Sequence, residues 1–309
     1  MIPHRTTRVL GQLTRRVVTL VALLAITFFA VEVLPGDAVV SSLSQDASDA
    51  EFAARRAALG LDQPVLARFW HWIAGVFSGD LGTTARGQHI ADLVLGRLPQ
   101  TMLLGGTALV VTVLAALALG SLCVLRPGGR ADRAIAGTAM VALALPEFAV
   151  ATALVVVFAI WLRVLPAATG TAATSPVALV LPVIALALPQ IGWNTRVVRA
   201  AFGEQLGTPH VDAAVLDGLS RRRILTHYLL PGAAPTIAAA AATSVGMVLG
   251  GAVTIEAIFN FPGLGSVLID AVQHRDAPLV AAVVALTGAL ITVVLIGCDA
   301  VRAWAGGGR

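Results

Sequence analysis

Six long apolar runs, at residues 17–34, 101–125, 134–162, 177–193, 235–259 and 279–301, constrain this chain more than any other feature. In hydrocarbon no water is available to the backbone N–H and C=O groups, so each run must satisfy them internally as a helix. About 20 residues are enough to cross a bilayer. Composition agrees: 57% of residues are hydrophobic and 12% charged, with mean hydropathy +0.87. The expected fold class is an all-α membrane protein with six transmembrane helices. The first run follows Arg5, Arg8, Arg15 and Arg16 and has 18 residues. That exceeds the about 7–15 of a secretory signal core, and no small-x-small cleavage site precedes Glu32, so it reads as an uncleaved anchor.

Arginine is distributed unevenly between the runs. With the N-terminus placed inside, fourteen arginines fall in cytoplasmic segments and seven outside, which orients the chain with N- and C-termini cytoplasmic. Residues 1–35 then form an N-terminal tail and first helix, and 36–98 an extracytoplasmic segment. Residues 99–309 form a five-helix core that includes a cytoplasmic hairpin at 203–232. In the extracytoplasmic segment, 50–59 and 64–77 read as short helices. The second carries Phe69, Trp70, Trp72, Ile73 and Phe77, an aromatic amphipathic pattern suited to the membrane interface.

All of the basic charge is arginine, since no lysine occurs. A phosphate-binding ATPase loop needs a lysine after its glycines, so any use of ATP is expected to come through a partner. Cys123 and Cys298 sit near the ends of apolar runs and read as small apolar residues rather than a disulfide or metal pair. His4, His71, His89, His210, His227 and His274 are scattered, with no two at ligand spacing on one helix, and no metal site is expected.

The stretch 208–232, TPHVDAAVLDGLSRRRILTHYLLPG, is polar yet lies between the fourth and fifth runs. Thr208 and Pro209 form a helix start, the threonine as a cap and the proline preorganised for the first position. Gly218 is a left-handed stop. Ser220 caps a second helix that carries Arg221, Arg222 and Arg223 and ends near Pro231. The expected element is a helix-turn-helix projecting from the bilayer. Its small residues, Ala213 and Ala214, suit a groove on another protein, and its arginines suit acidic side chains or anionic lipid. On these grounds alone a plain positively charged loop is the alternative. DNA docking is disfavoured by the membrane tethers on both sides.

The order Asp212-Ala213-Ala214, three residues, Gly218, nine residues, Tyr228, one residue, Leu230-Pro231 resembles the EAA loop of binding-protein-dependent ABC importer permeases. Asp212 stands for the usual glutamate and Tyr228 for isoleucine. Six further motifs resemble the dipeptide, oligopeptide and nickel permease family, in particular its first permease subunit. They are Leu34-Pro35-Gly36-Asp37, Leu59-Gly60-Leu61-Asp62-Gln63-Pro64, Gly79-Asp80-Leu81-Gly82-Thr83, Arg97-Leu98-Pro99-Gln100-Thr101, Phe261-Pro262-Gly263-Leu264-Gly265 and Arg275-Asp276-Ala277-Pro278-Leu279.

The resemblance implies a type I ABC importer transmembrane domain in the bacterial inner membrane. Such a chain forms half of a pathway for peptides or related small solutes, without an ATPase site or cofactor of its own. ATP and Mg belong to partner subunits. The implied partners are a second homologous permease, one or two cytoplasmic ABC ATPases, an extracytoplasmic solute-binding protein and membrane lipid, with no nucleic acid. The EAA loop would dock in the ATPase as a coupling helix, which makes Asp212, Ala213, Ala214, Gly218, Arg221, Arg222, Leu230 and Pro231 the candidate contacts.

Glu147 follows Pro146 in the middle of the third run, where an ionisable group is costly unless it faces water or a partner. It can line the path and meet a substrate amine, or serve a kink or a subunit interface. Pro182 and Pro189 bend the fourth run or free carbonyls near the path. Glu256, with Asn260, is a pathway-mouth or interfacial carboxylate. Phe261, Pro262 and Gly263 suit a tight type II turn open to a delivered binding protein. The alternative function, a stand-alone secondary transporter or channel, expects coupling carboxylates in several spans, whereas only Glu147 lies near mid-membrane here. An intramembrane enzyme expects a nucleophile with a base or metal ligands at depth, and no such cluster is in the sequence.

Overall fold

The computed structural model describes residues 3–33, 48–58, 62–84, 86–170 and 175–305. Its helices are α1 (Pro3–Val33), α2 (Asp49–Ala58), α3 (Val65–Ser78), α4 (Ile90–Leu125), α5 (Arg130–Ala144), α6 (Glu147–Trp161), α7 (Pro176–Leu206), α8 (Pro209–Leu216), α9 (Arg221–Ile258), α10 (Leu264–Gln273) and α11 (Ala277–Ala305). Four of them, α4, α7, α9 and α11, are long and apolar enough to cross a membrane, and α5 with α6 makes a fifth if the bent pair is one span. In α1 the apolar part, Val17–Ala30, is shorter. The described residues therefore carry four or five crossing helices where the sequence reading expects six. The two short helices expected at 50–59 and 64–77 lie within about a residue of those places, at Asp49–Ala58 and Val65–Ser78.

The run at 134–162 is not one straight helix. The ring of Pro146 crowds the helical region of its predecessor, Leu145 is extended (φ −82°, ψ 126°), and α5 and α6 meet at 102°. By contrast, α7 continues through Pro182 and Pro189. In α9 the turns at Leu225–Leu229 are widened to π type, with the Leu230 N–H bonded to the Leu225 carbonyl. Pro231 has no N–H for an ordinary ladder, and the wider turn before it shifts the register of the bonds. The hairpin's second arm thus does not end near Pro231, as the sequence suggests, but is the start of α9.

Two compact units divide the chain, Met1–Thr101 with Pro262–Val293, and Met102–Phe261 with Val294–Arg309. In the first, α3 buries Phe69 and Ile73 against Leu24 and Phe28 of α1 and Ala281 and Ala285 of α11. Phe28 and Phe69 meet edge-on at 5.5 Å, a favoured aromatic geometry. Helix α2 opens on a capping box: Ser48 N donates to Glu51 Oε2 at 2.8 Å and Glu51 N to Ser48 Oγ at 3.4 Å. The Ser48 backbone N–H, then its hydroxyl, hold the Glu51 carboxyl below the usual carboxylate range.

Helix α10 is absent from the sequence reading. Asn260 takes the left-handed turn (φ 46°), and Gly263 is extended (φ −108°, ψ −169°) as the residue before α10. A type II turn needs positive φ at that glycine, so Pro262-Gly263 begins a helix instead of closing a tight turn. Leu264 and Ala271 then bury against Ile90 and Val94 of α4 and Leu279 and Val283 of α11. Leu264 N donates to Thr101 Oγ1 at 2.8 Å.

In the second unit α7 is packed by α9, α5 and α6. Helices surrounded by lipid gain little from hiding apolar surface and rely on close approach at small residues. A Cβ at Gly192 of α7 would meet the Ala139 carbonyl oxygen at 2.5 Å and the Leu143 nitrogen at 3.0 Å, so α5 and α7 touch backbone to backbone. One buried cluster gathers Leu104, Leu181, Leu186, Val248, Ile255 and Phe259. Another, towards the far end of α7, gathers Ala116, Val198, Phe202, Val211, Ala214 and Ile224.

Gly192→Leu is expected to destabilise the detergent-purified protein by about 1–3 kcal/mol through overpacking, read as a lowered Tm. Gly250→Ala, where a Cβ meets nothing within 4 Å, is expected to hold or raise Tm, since helical glycine is about 0.5–1 kcal/mol worse than alanine. Equal Tm values for the two variants would contradict the α5–α7 approach.

Candidate functional site

The hairpin begins where α7 ends. Thr208 is extended (φ −93°, ψ 141°) and Pro209 takes the first helical position, as expected. The Thr208 hydroxyl does not cap α8, contrary to expectation; it donates back to the Gln205 carbonyl at 2.6 Å. Gly218 stops α8 with φ 73°, and Leu219 N to Ala214 O and Gly218 N to Val215 O, both at 3.1 Å, are the paired bonds of a Schellman cap. Ser220 caps α9 by accepting from Arg223 N at 3.4 Å.

Three further contacts brace this end of the unit. Arg221 Nη1 donates to the Leu125 carbonyl at the C-terminus of α4, at 2.7 Å. His210 and Tyr228 stack at 6.3 Å across the hairpin. Arg199 on α7 grips buried Asp132 with two bonds, at 2.8 and 3.0 Å, while Gly128 N donates to the same carboxylate at 2.9 Å. Paired charge-assisted bonds of this form are directional as well as strong.

The faces of α8 differ from the simple small-residue knob of the sequence reading. Val211 and Ala214 turn inward onto Phe202 and Ile224, leaving Ala214 2% exposed. Asp212 and Ala213 face outward, together with Val215 and Leu216, the last 86% exposed. Gly218, Arg221, Arg222, Leu230 and Pro231 are exposed too, with the Arg221 guanidinium bonded to the end of α4. Leu216 was missed by the sequence reading. The signal was available: with Val211 and Ala214 inward at a spacing of three, residues 212, 213 and 216 share the opposite side.

A second polar site lies within the helices. Glu147 opens α6, its carboxyl beside the Gln190 side chain of α7. On another side it rests on α9, since a Cβ at Gly251 would overlap its carboxyl group. One turn along α7, Asn194 Nδ2 donates to Ser244 Oγ at 2.7 Å and to the Gln190 carbonyl at 2.8 Å. Gln190 Oε1 and Thr195 Oγ1 are buried without a hydrogen-bond partner. An acidic group at mid-span costs about 2.5–3.5 kcal/mol on insertion scales, and the N-terminal dipole of α6 offsets about 0.3–1 of that. Gln190 and Asn194 were not among the sequence candidates, although two amides four apart in an apolar run mark one helix face.

The remaining candidates separate by exposure. Pro146 is exposed at the bend, while Pro189 is buried in α7. Glu256 is fully buried, its backbone carbonyl accepting from Phe261 N at 2.8 Å. Phe261 and Gly263 are buried and Pro262 partly exposed, its carbonyl accepting from Arg97 Nη1 at 3.4 Å.

The family described as "Binding-protein-dependent transport system inner membrane component" matches residues 109–304, and the corresponding N-terminal family matches residues 6–104. The probable peptide ABC transporter permease protein y4tP of Sinorhizobium fredii is 30% identical, over 92% of this chain and 94% of its own length. The dipeptide transport system permease protein DppB of Bacillus subtilis is 28% identical, over 91% and 90%. Among solved structures, an inward-facing MetNI methionine ABC transporter chain superposes with TM-score 0.59 at 18% identity, covering 69% of this chain and 96% of that one.

Ala214→Asp is expected to destabilise the detergent-purified protein by several kcal/mol, because it places an unpaired charge in a packed cluster. Ala213→Asp, on the exposed side, is expected to stay within about 0.5 kcal/mol. Thermal unfolding of the two variants checks the facing of α8.

Proposed function

Because the chain belongs to the family of binding-protein-dependent transport system inner membrane components, we propose a specific division of labour within an ABC importer. The chain is a multi-pass inner-membrane permease subunit of such an importer, and ATPase activity resides in separate subunits. In our reading it has six spans with both termini cytoplasmic, and it forms half of the pathway with a second, similar permease. One or two ATPases bind ATP and Mg, and an extracytoplasmic binding protein delivers the solute. The substrate class is peptides, in keeping with the names of the two permease relatives.

The hairpin is the ATPase-coupling element. The observation that carries this reading is the braced, outward-facing α8, which presents Leu216 at 86% exposure beside Asp212 and Ala213. An apolar helix face of this kind fits a groove on a partner. ATP-driven closure of the ATPases would move α8 as a rigid lever. Since α7 leads into the hairpin through Gly207 and Thr208 and α9 leaves it after Ser220, the motion is passed to the helices that pack around Glu147. Pro146 and Glu147 then line the path, with Pro189 and Glu256 as supports behind it. Pro262 is the accessible part of the binding-protein contact, Phe261 and Gly263 holding it from within.

Leu216→Arg and Gly218→Pro are each expected to reduce co-purification of the ATPase about tenfold or more, the loss of one interface hot spot. The proline is locked near φ −65° and cannot take the φ of 73° seen at Gly218. Permease levels in the membrane are expected to hold. Unchanged ATPase recovery with both variants would remove the coupling assignment.

A further inference from the structure

We propose that Glu147, Gln190 and the helix break before Pro146 form a recognition site for a protonated primary amine, with Gly251 as the residue that holds the site open. The proposal rests on the reading of this chain as a peptide-importing permease and names the substrate group that this part of the path selects.

The groups that converge here are acceptors. The Gln190 side chain lies beside the Glu147 carboxyl, and its Oε1 has no hydrogen-bond partner. Oε1 sits only about 2.2 Å from its own amide nitrogen by covalent geometry, which places an unused acceptor beside the carboxylate. Gln190 is 3% exposed, so bulk water cannot readily satisfy that oxygen, and an orphaned buried acceptor calls for a donor. At the break, α5 ends at Ala144 and Leu145 is extended, so the last carbonyls of α5 lack the N–H groups that a continuing helix would have supplied.

Carboxylate, amide oxygen and helix-end carbonyls match the three N–H donors and the charge of a primary ammonium. Carbonyl ends of broken helices serve cations in membrane transporters by the same physics. A quaternary ammonium has no N–H to offer and an acetylated amine has no charge. Gly251 matters because the carboxyl lies where a Cβ would be. Any side chain there would displace the carboxylate from its place against α9.

The test uses the whole importer, with both permeases, ATPases and binding protein, in proteoliposomes, and unblocked dialanine as the transported probe. Glu147→Gln and Gly251→Ala are each expected to lower uptake about tenfold or more, the scale of a lost hydrogen bond to a charged group, while co-purification of the ATPase is retained. Propylammonium is expected to inhibit wild-type uptake, and tetramethylammonium at the same concentration is not. Glu147→Asp is expected to recover part of the uptake. If Glu147→Gln does not assemble, Gly251→Ala and the two ammonium ions decide. Uptake unaffected by the substitutions, or equal inhibition by the two ions, overturns the amine site and leaves the peptide reading standing. Failure of the wild-type importer to take up dialanine overturns the peptide reading and the amine site with it.

Discussion

The rest of the structure depends on one constraint: in hydrocarbon every backbone N–H and C=O must find its partner within the protein. Continuous helices meet it at α4, α7, α9 and α11, and prolines within α7 and α9 are absorbed by helical continuation or by the π turns at Leu225–Leu229. The bend of 102° between α5 and α6 is the place where the rule is relaxed. The polar side chains of Glu147, Gln190, Asn194 and Ser244 gather at and below that relaxation. A broken helix frees backbone dipoles, and those dipoles are tolerated only beside polar groups or water.

The hairpin follows from the same packing at the other end of α7. It is a short soluble-type motif, closed by a Schellman cap at Gly218 and a serine cap at Ser220, yet its inner face belongs to the core of the unit. Ala214 and Val211 are as much core residues as Phe202. Because Arg221 also bonds the end of α4, a force applied to the outer face of α8 is borne by α4, α7 and α9 together. Rigidity of this kind comes from filled contacts and directional hydrogen bonds, which leave no soft hinge to dissipate a small displacement.

Legibility of these features varied with how local their causes are. The left-handed stop at Gly218, the proline at the start of α8 and the serine cap of α9 are set by one or two residues, and the structure has them where the sequence reading put them. The continuation of α9 through Pro231 was not foreseen, because the sequence shows the missing N–H but not the π turns that accommodate it. Helix α10 was missed for a related reason. Pro262-Gly263 fits either a tight turn or a helix start, and the burial of Leu264 and Ala271 against α4 and α11 is what selects the helix.

The sequence by itself determined the helical membrane class, the position of the apolar runs, and the break that Pro146 invites, since these follow from transfer energies and from steric rules confined to adjacent residues. Tertiary structure alone decided which side of each helix is used. It turned Ala214 inward and Leu216 outward, assigned Arg221 to a helix end, set Gln190 beside Glu147, and laid that carboxyl against the backbone at Gly251. Each of these depends on which distant segment lies opposite, a choice made by the packing of whole helices against one another, and no local pattern of residues encodes it.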